Sequence, residues 1–529
     1  MAVVFAVWAL LGVASLSWSL HPAVSFRALA GLGTGWICAV AIATFDDRER
    51  LQLWVTGAVG GGLHVVTALA QLLWIWPDAL LRQRSLRLSP QMVARMESGR
   101  PLGMTLSPDL FGAVCLLGAG CSLAWASSTT HKVQRTLAMT SAALCGLGVV
   151  LSRSVGTLGA ALCALVVGAV LLLWHRHRNQ LKVAALLVGG VAVAGAGWVL
   201  VTRGVDGVAL SLHERWLNWE AAGRMWQAHP TGVGHARFAA GYLPVRSPDA
   251  NVTRYAHSSL VQGFAELGPL FVVVVGAFAW SVVRHMRRLL ASPSSVATSV
   301  LTAAALGWTL RTLLDYDLQI AQTLTWFAVL WAMATTWPST STSSENATSS
   351  RATLGAATLG VVLAAGATWS AIVVDDTQTA PLDEAAAVAR AHACDAQLTP
   401  RVATRLWQTP CAATSCAAQQ ALLEGILDAA LSCQAPAPML WEMEAMRALA
   451  ASDVKRAQRA LHQLAAADPG GLVLHQLRPF ALEVFGAQPF ATSSTWEAER
   501  NRWFSTPAQQ ERVRQLHPFI GQRVLFHPQ

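Results

Sequence analysis

Long apolar runs dominate this chain of 529 residues and restrict it to folds that a lipid bilayer can hold. A helix needs about 17 to 25 apolar residues to cross the hydrocarbon core, and the sequence contains about eleven runs close to that length. The chain is 53% hydrophobic and 13% charged, which excludes an ordinary soluble protein of this size. The pattern therefore predicts an all-α polytopic membrane bundle. The runs lie at 1–20, 26–45, 52–76, 108–127, 136–151, 155–174, 182–201, 259–283, 295–314, 317–336 and 354–374.

The positions of Lys and Arg between these runs predict how the chain is oriented. Basic clusters recur in every second connection, so all of them can face the cytoplasm together, and the N-terminus then lies inside as well. The long segments 77–107 and 202–258, and everything after about residue 375, consequently face outward. The net charge of +9 thus reflects topology, and no nucleic-acid partner is expected. The clusters are Arg48 with Arg50, Lys132 with Arg135, Arg176 with Arg178 and Lys182, and Arg284 with Arg287 and Arg288.

Composition divides the chain into a transmembrane body, which we expect to be the catalytic part, a polar linker rich in Ser and Thr, one more membrane span and a soluble segment. The alanine-rich periodicity of the soluble segment predicts helices. These parts are the body at 1–336 with its outward loop at 202–258, the linker at 337–353, the last transmembrane helix at 354–374 and the soluble segment at 375–529.

The soluble segment carries a helical hairpin pattern and four cysteines. The stretch from Met439 to Gly470 is typical either of one degenerate tetratricopeptide unit or of a generic helical hairpin, with Ala457, Ala460 and Leu461 facing inward. Cysteines in a segment that faces outward favour two disulfides, and a metal site is the alternative. The four cysteines are Cys394, Cys411, Cys416 and Cys433.

One histidine, His257, stands where the outward segment meets the apolar helix that follows it. Histidine titrates near neutral pH, so a membrane protein that places one at the water-facing end of a span has a usable general base. We therefore take His257 as the leading catalytic candidate.

Aromatic and cationic side chains crowd the outward segment 202–258. Aromatic faces bind sugars and arginine forks bind diphosphates, so this mixture suits a glycan joined to an anionic carrier. Arg215, Trp219 and Trp226 are spaced four and seven residues apart and share one face of a helix. Trp and Arg also favour membrane interfaces, so an interfacial loop without a ligand would have the same composition.

Charged residues also mark two outward boundaries of membrane spans. Arg153 lies between two apolar runs, where a cation is costly unless it is paired or used, and snorkelling to the interface is the alternative. Asp315 and Asp317 follow Arg311 at another boundary and are expected to pair with or orient the arginines. Simple solvation explains Asp317 equally well.

Short motifs in a fixed order add to this pattern. They are Gly103-Met104-Thr105 with Ser107-Pro108-Asp109, Ser152-Arg153, Arg215 with Trp219, His229-Pro230-Thr231-Gly232-Val233-Gly234, His257-Ser258-Ser259-Leu260 with Glu266-Leu267-Gly268, and Asp315-Tyr316-Asp317-Leu318. Over about residues 100–335 the chain resembles the O-antigen ligase superfamily, which includes lipopolysaccharide O-antigen ligases, polysaccharide polymerases and bacterial O-oligosaccharyltransferases. It departs at Asp109 and Ser258, where family members often carry Asn.

The resemblance implies a GT-C-like bundle in the bacterial inner membrane, with the C-terminal domain in the periplasm. The implied reaction transfers a glycan from undecaprenyl diphosphate to an acceptor hydroxyl, with inversion and without a metal or other cofactor. His257 would deprotonate the acceptor, and Arg153 and Arg215 would stabilise the leaving diphosphate. The implied substrate-binding residues are Trp219, Arg224, Arg254, Glu266 and Asp315.

The sequence leaves the acceptor open between a lipid A core, a growing glycan and a protein hydroxyl, which correspond to a ligase, a polymerase and an oligosaccharyltransferase. A transporter of lipid-linked glycans is the alternative from another class. It predicts charges buried within spans and internal repeats, whereas here the charges gather at the outward ends.

Overall fold

The computed structural model of this chain describes most of the membrane body and part of the soluble segment. Within the described ranges all regular elements are helices, so the predicted all-α fold is confirmed. The predicted linker at 337–353 and the last span at 354–374 lie outside those ranges. The described residues are 1–82, 90–105, 107–174, 181–247, 250, 253–291, 294–335, 381–395, 398–408, 416–433, 438–450 and 453–467.

The body is a succession of helices, and one π-helical turn, Gln71–Ile75, links two of them into a single rod. The helices are α1 (Ala2–Ala14), α2 (Pro22–Thr44), α3 (Asp47–Ala70), α4 (Trp76–Leu81), α5 (Pro90–Glu97), α6 (Pro108–Ser128), α7 (Lys132–Leu151), α8 (Val155–Leu173), α9 (Leu181–Ala228), α10 (Phe238–Tyr242), α11 (Ser259–Leu267), α12 (Phe271–Ala291), α13 (Val296–Leu314) and α14 (Ala321–Thr335).

Six segments in the described part of the chain are long and apolar enough to cross a membrane, which makes this a multi-pass membrane protein. The sequence predicted about eleven spans, counting every run near the required length. Three helices explain part of the difference: α1 has 13 residues, α14 has 15, and α13 contains the buried Arg311. The six segments are Pro22–Thr44, Asp47–Leu81, Pro108–Ser128, Lys132–Leu151, Val155–Leu173 and Ser259–Ala291.

Small residues allow the central helices to approach closely. A Cβ atom added at Gly61 of α3 would lie 2.8 Å from the Cα atom of Gly118 on α6, so these two backbones are in direct contact. Helices in lipid gain little from apolar burial and associate through such close packing. The indoles of Trp308 and Trp331 are fully buried and fill the space between α13 and α14.

Helix α9 supplies the first half of the segment 202–258. This first half is therefore helical rather than a loop. A kink at Gly204, with φ near +70°, separates its apolar first part from an amphipathic second part. In that second part Leu217 is buried, whereas Trp216 and Trp226 are more than half exposed. The helical periodicity predicted around Arg215 and Trp219 is confirmed. It explains why the chain remains helical after the kink at Gly204.

The rest of the segment 202–258 folds back against α11. The amides of Val233 and Gly234 donate to the carbonyls of Ala265 and Glu266 at 3.1 and 2.8 Å. Gly232 has a positive φ, and a Cβ atom there would collide with the carbonyl of Glu266. The glycines are thus needed because two backbone segments touch at this point.

The soluble segment has a helical core of its own. A disulfide joins Cys394 to Cys433, which confirms one predicted cross-link; the side chains of Cys411 and Cys416 lie outside the described residues. The predicted hairpin is present as the last two helices, and Ala457, Ala460 and Leu461 are buried as predicted. The helices of this segment are α15 (Leu382–Ala391), α16 (Leu398–Gln408), α17 (Cys416–Leu431), α18 (Pro438–Ala450) and α19 (Val454–Ala467).

Candidate active site

Several helix ends converge at one end of the membrane body. The guanidinium of Arg311, near the end of α13, donates to the Thr157 hydroxyl of α8 at 3.1 Å and to the Asp109 carbonyl of α6 at 2.8 Å. The amide of Ser259, which begins α11, donates to the Asp315 carbonyl at 3.0 Å. Elements far apart in sequence therefore meet around the turn that follows α13.

The backbone of His257 is held in a strained conformation at this point. Its φ is +54°, a left-handed value that a histidine rarely adopts. The preceding residue, Ala256, is fixed on both sides: its carbonyl accepts from the Trp219 indole at 3.0 Å, and its amide donates to Gln262 at 3.0 Å. Strain that the surroundings maintain in this way is typical of functional sites.

Aromatic rings and one carboxylate surround the His257 imidazole. Its edge packs on Tyr316, with ring centroids 5.0 Å apart, and Tyr255 stacks on the same tyrosine at 4.5 Å. Nδ1 of His257 lies 3.9 Å from a carboxylate oxygen of Asp315, and 30% of the histidine side chain remains exposed. The imidazole is thus enclosed but reachable.

Burial is the main cause of a lowered pKa at His257. The nearby negative charge of Asp315 opposes this shift, and the positive charge of Arg215 reinforces it. The neutral imidazole is therefore the dominant form near pH 7, which is the form that accepts a proton.

The carboxylates of Asp315 and Asp317 are both paired with Arg311. This arginine is fully buried; it donates to Asp315 at 2.9 Å and bonds closely to Asp317, which also accepts from the Trp308 indole at 2.9 Å. The sequence left solvation open for Asp317, and its burial decides in favour of pairing. The described residues contain no group of three or more His, Cys, Asp or Glu side chains that could hold a metal ion.

The two arginines predicted to be catalytic have different partners in the structure. Arg215 donates to the Leu314 carbonyl at the end of α13 and is close enough to His257 to affect its pKa. Arg153, with φ +47°, donates to the Ser98 carbonyl at 3.3 Å. Arg100 links this part of the chain to the site. It donates to the carbonyl of Ser152, the residue before Arg153, and to the carboxylate of Asp109, both at 3.1 Å.

The other predicted site residues have different surroundings. Arg224 pairs with Glu220 at 2.8 Å and donates to Ser247 at 2.7 Å. Glu266 is 1% exposed, and it accepts from two backbone amides of the turn at 236–238 and from Gln262. Arg254 is exposed. Of the predicted set, His257, Arg215, Trp219 and Asp315 are brought together.

Sequence reasoning missed three residues of the site, Arg311, Tyr316 and Gln262. Arg311 was noted only for its closeness in sequence to Asp315, yet a lone arginine inside an otherwise apolar run is itself a strong signal. The rarity of tyrosine was the available signal for Tyr316. The chain has only three tyrosines, and two of them, Tyr255 and Tyr316, stack beside His257.

Replacing Trp219 with Phe removes the indole N–H that holds the Ala256 carbonyl. We expect the turnover number to fall by about 3- to 10-fold, the value of one hydrogen bond, with an unchanged KM. Trp219 would then act as a positioning residue for His257. The measurement is the steady-state rate of the transfer reaction that the resemblance implies, and Trp216→Phe, on the exposed face of the same helix, is the matched control. Equal rates for the two variants would contradict this role.

The fold and the site define a class: a polytopic helical membrane protein with an enclosed histidine and clustered arginines at one end of its bundle. A family model described as O-antigen ligase matches residues 140–274, about a quarter of the chain. This match supports the resemblance to the O-antigen ligase superfamily that the motifs predicted, and with it a membrane enzyme of the ligase or polymerase type. The matched segment contains Arg153, Arg215 and His257 but ends before Asp315. No curated protein matches the chain.

Proposed function

We propose that this protein is a membrane glycosyltransferase that moves a glycan from undecaprenyl diphosphate to an acceptor hydroxyl, as an O-antigen ligase does. The observation that carries the proposal is the neutral, partly exposed imidazole of His257, held between Asp315 and Arg215. The family implies lipid-linked glycan and acceptor substrates in general. The undecaprenyl carrier, the ligase role and the periplasmic side are our inference.

The proposed reaction needs a base on one side and cations on the other. The Nδ1 side of the His257 ring faces Asp315, which leaves Nε2 for the acceptor hydroxyl. As that proton moves to His257, the acceptor oxygen bonds to the anomeric carbon, and the bond from this carbon to the diphosphate breaks. Attack opposite the leaving group inverts the anomeric centre.

Guanidinium groups would stabilise the charge that develops on the departing diphosphate. Arg215 uses one nitrogen on the Leu314 carbonyl and has further N–H groups for a phosphate. Among the described residues, the guanidinium of Arg153 makes a single hydrogen bond, to the Ser98 carbonyl at 3.3 Å, which a phosphate could replace. Because fixed arginines supply this charge, the proposed mechanism requires no metal ion.

The lowered pKa of His257 sets the pH dependence of the reaction. Protonation below that pKa removes the base, so kcat/KM should rise with pH through a value under 6.5 and then stay level. Stability changes in the same direction, because the buried imidazole favours the neutral form and charging it at low pH weakens the fold. The check is a pH profile of glycan transfer; a rate that still rises tenfold per unit above about pH 7.5 would exclude this base.

The function itself is tested with a deletion strain and with membranes that contain the protein. We expect loss of long glycan chains from the acceptor and accumulation of the carrier-linked polymer, which is the result for a ligase. Short single repeats on the acceptor would instead indicate a polymerase, and loss of protein-linked glycan an oligosaccharyltransferase. Normal transfer together with a changed location of the lipid-linked glycan would indicate a transporter and overturn the proposal.

The predicted topology belongs to the same proposal. The N-terminus would lie in the cytoplasm, and the end of the bundle that carries His257 would face the periplasm together with the soluble segment 375–529. The disulfide between Cys394 and Cys433 supports an oxidising compartment for that segment.

A further inference from the structure

The soluble segment docks on the membrane body through a buried ion pair. Arg27, in the second turn of α2, donates both terminal nitrogens to the carboxylate of Asp395, at 2.5 and 2.7 Å. The two side chains are only 8% and 5% exposed. Asp395 lies in the turn between α15 and α16, next to the cysteine that forms the disulfide. The contact therefore joins the folded core of the soluble segment to the N-terminal part of the body.

A second buried arginine lies beside this ion pair. Arg237 is 8% exposed, and its Nε donates to the Ala236 carbonyl at 2.9 Å. Among the described residues its terminal nitrogens have no acceptor, and no carboxylate lies within 4.0 Å of them. Nε of Arg27 is also buried without a hydrogen-bond partner. Two guanidinium groups, each about nine-tenths buried, thus have unpaired N–H groups in one region.

The nearby carboxylates are already occupied. Both oxygens of Glu266 accept from backbone amides, those of Ala236 and Phe238, and Asp395 is held by Arg27. Arg254 is exposed and adds a third positive charge near Arg237. Burial lowers the pKa of Arg237 to about 10; the negative charge of Glu266 opposes this shift, and the positive charges of Arg254 and Arg27 add to it.

The histidine next to this region adds no positive charge. Burial lowers the pKa of His21 to about 4, so its imidazole is neutral at pH 7. Three arginines therefore face two carboxylates, and the excess positive charge is that of the exposed Arg254. An anion bound here would balance this charge and accept from the N–H groups that Arg237 leaves unpaired.

We propose that Arg237 and Arg254 form a binding site for a phosphate group, separate from the catalytic histidine. Arginine N–H groups that approach from several directions match the oxygens of a tetrahedral oxyanion. Glu266, next to Arg237, and His257 lie at opposite ends of α11, a nine-residue helix about 13 Å long. At this distance the phosphate is not the diphosphate that reacts at His257.

The phosphate belongs either to the acceptor or to a membrane lipid headgroup. For an acceptor, the site would hold a phosphorylated part of the molecule while a hydroxyl about 13 Å away reaches His257, a separation of two or three sugar rings. This assignment rests on the proposed glycosyltransferase function. The phosphate site itself does not depend on it.

The first experiment measures binding of inorganic phosphate to the purified full chain. We expect Arg237→Gln to weaken phosphate binding at the proposed site by at least about tenfold, the usual effect of losing a charged hydrogen bond. Phosphate binding that depends on Arg215 should be unchanged. Arg254→Gln, at an exposed position that cannot disturb the core, should weaken phosphate binding at the same site. Arg135→Gln, an exposed arginine elsewhere on the body, is the control. Equal phosphate affinity in wild type and in both variants would overturn the proposal.

A second experiment separates the two sources of the phosphate. If it belongs to the acceptor, Arg237→Gln raises the KM for the acceptor but not for the donor, and enzymatic removal of phosphate from the acceptor abolishes this difference. If it belongs to a lipid, the wild type retains an anionic phospholipid in native mass spectrometry and the variant loses it. If phosphate binding depends on Arg237 but the protein shows no transfer activity, the phosphate site is supported and the proposed glycosyltransferase function is rejected.

Discussion

His257→Asn is expected to lower glycan transfer by about 10²- to 10⁴-fold, the usual contribution of a positioned general base, while leaving the amount of folded protein unchanged. Asparagine is the informative substitute because it tolerates the left-handed backbone conformation, φ +54°, that His257 adopts. Alanine lacks the polar side chain that lets asparagine and histidine adopt this conformation, so His257→Ala would also raise the backbone strain. A loss of activity in the asparagine variant therefore reports on the missing base and not on the fold.

Two measurements accompany this variant. Thermal unfolding of the purified protein should give a midpoint within a few degrees of the wild type. His131→Asn, which changes an exposed histidine at the start of α7, should keep full transfer activity. Retained transfer in His257→Asn would exclude the histidine as the base and would leave the arginine cluster as the main source of catalysis.

The local parts of this protein were predictable because they depend on patterns within one segment. Runs of apolar residues gave the helices, and the spacing of Arg215 and Trp219 gave the amphipathic part of α9. The break between Ala256 and Ser259 was visible as a polar interruption before an apolar helix. Such features depend on apolar runs and on the helical period of three to four residues, which a single sequence displays directly.

The pairing of distant residues was not predictable in the same way. Arg311 meets Thr157 and the Asp109 carbonyl across separations of 154 and 202 residues, and no local pattern encodes those contacts. Glu266 shows the opposite difficulty. Its place in one motif with His257 suggested substrate binding, whereas its carboxylate satisfies the backbone amides of the turn at 236–238. Closeness in sequence indicates a shared site but does not give each residue its role.

Arg311→Met is expected to destabilise the protein by about 3 to 5 kcal/mol, the cost of removing one partner from a buried ion pair. Methionine fills much of the arginine volume but leaves the carboxylates of Asp315 and Asp317 buried without their cation. The measurement is the free energy of unfolding, or the thermal midpoint, in detergent. We expect a large decrease together with loss of transfer, because the same arginine fixes Asp315 beside His257.

A second substitution distinguishes an unpaired charge from a simple packing defect. In Arg311→Met with Asp317→Asn, one of the two buried negative charges is gone and that of Asp315 remains, and the asparagine oxygen can still accept from the Trp308 indole. The double variant should therefore be more stable than Arg311→Met alone, although neither restores the bond to Thr157. Arg135→Met, at an exposed position, should change stability by less than about 0.5 kcal/mol. If the double variant is no more stable than Arg311→Met, then packing, and not charge, is what Arg311 contributes.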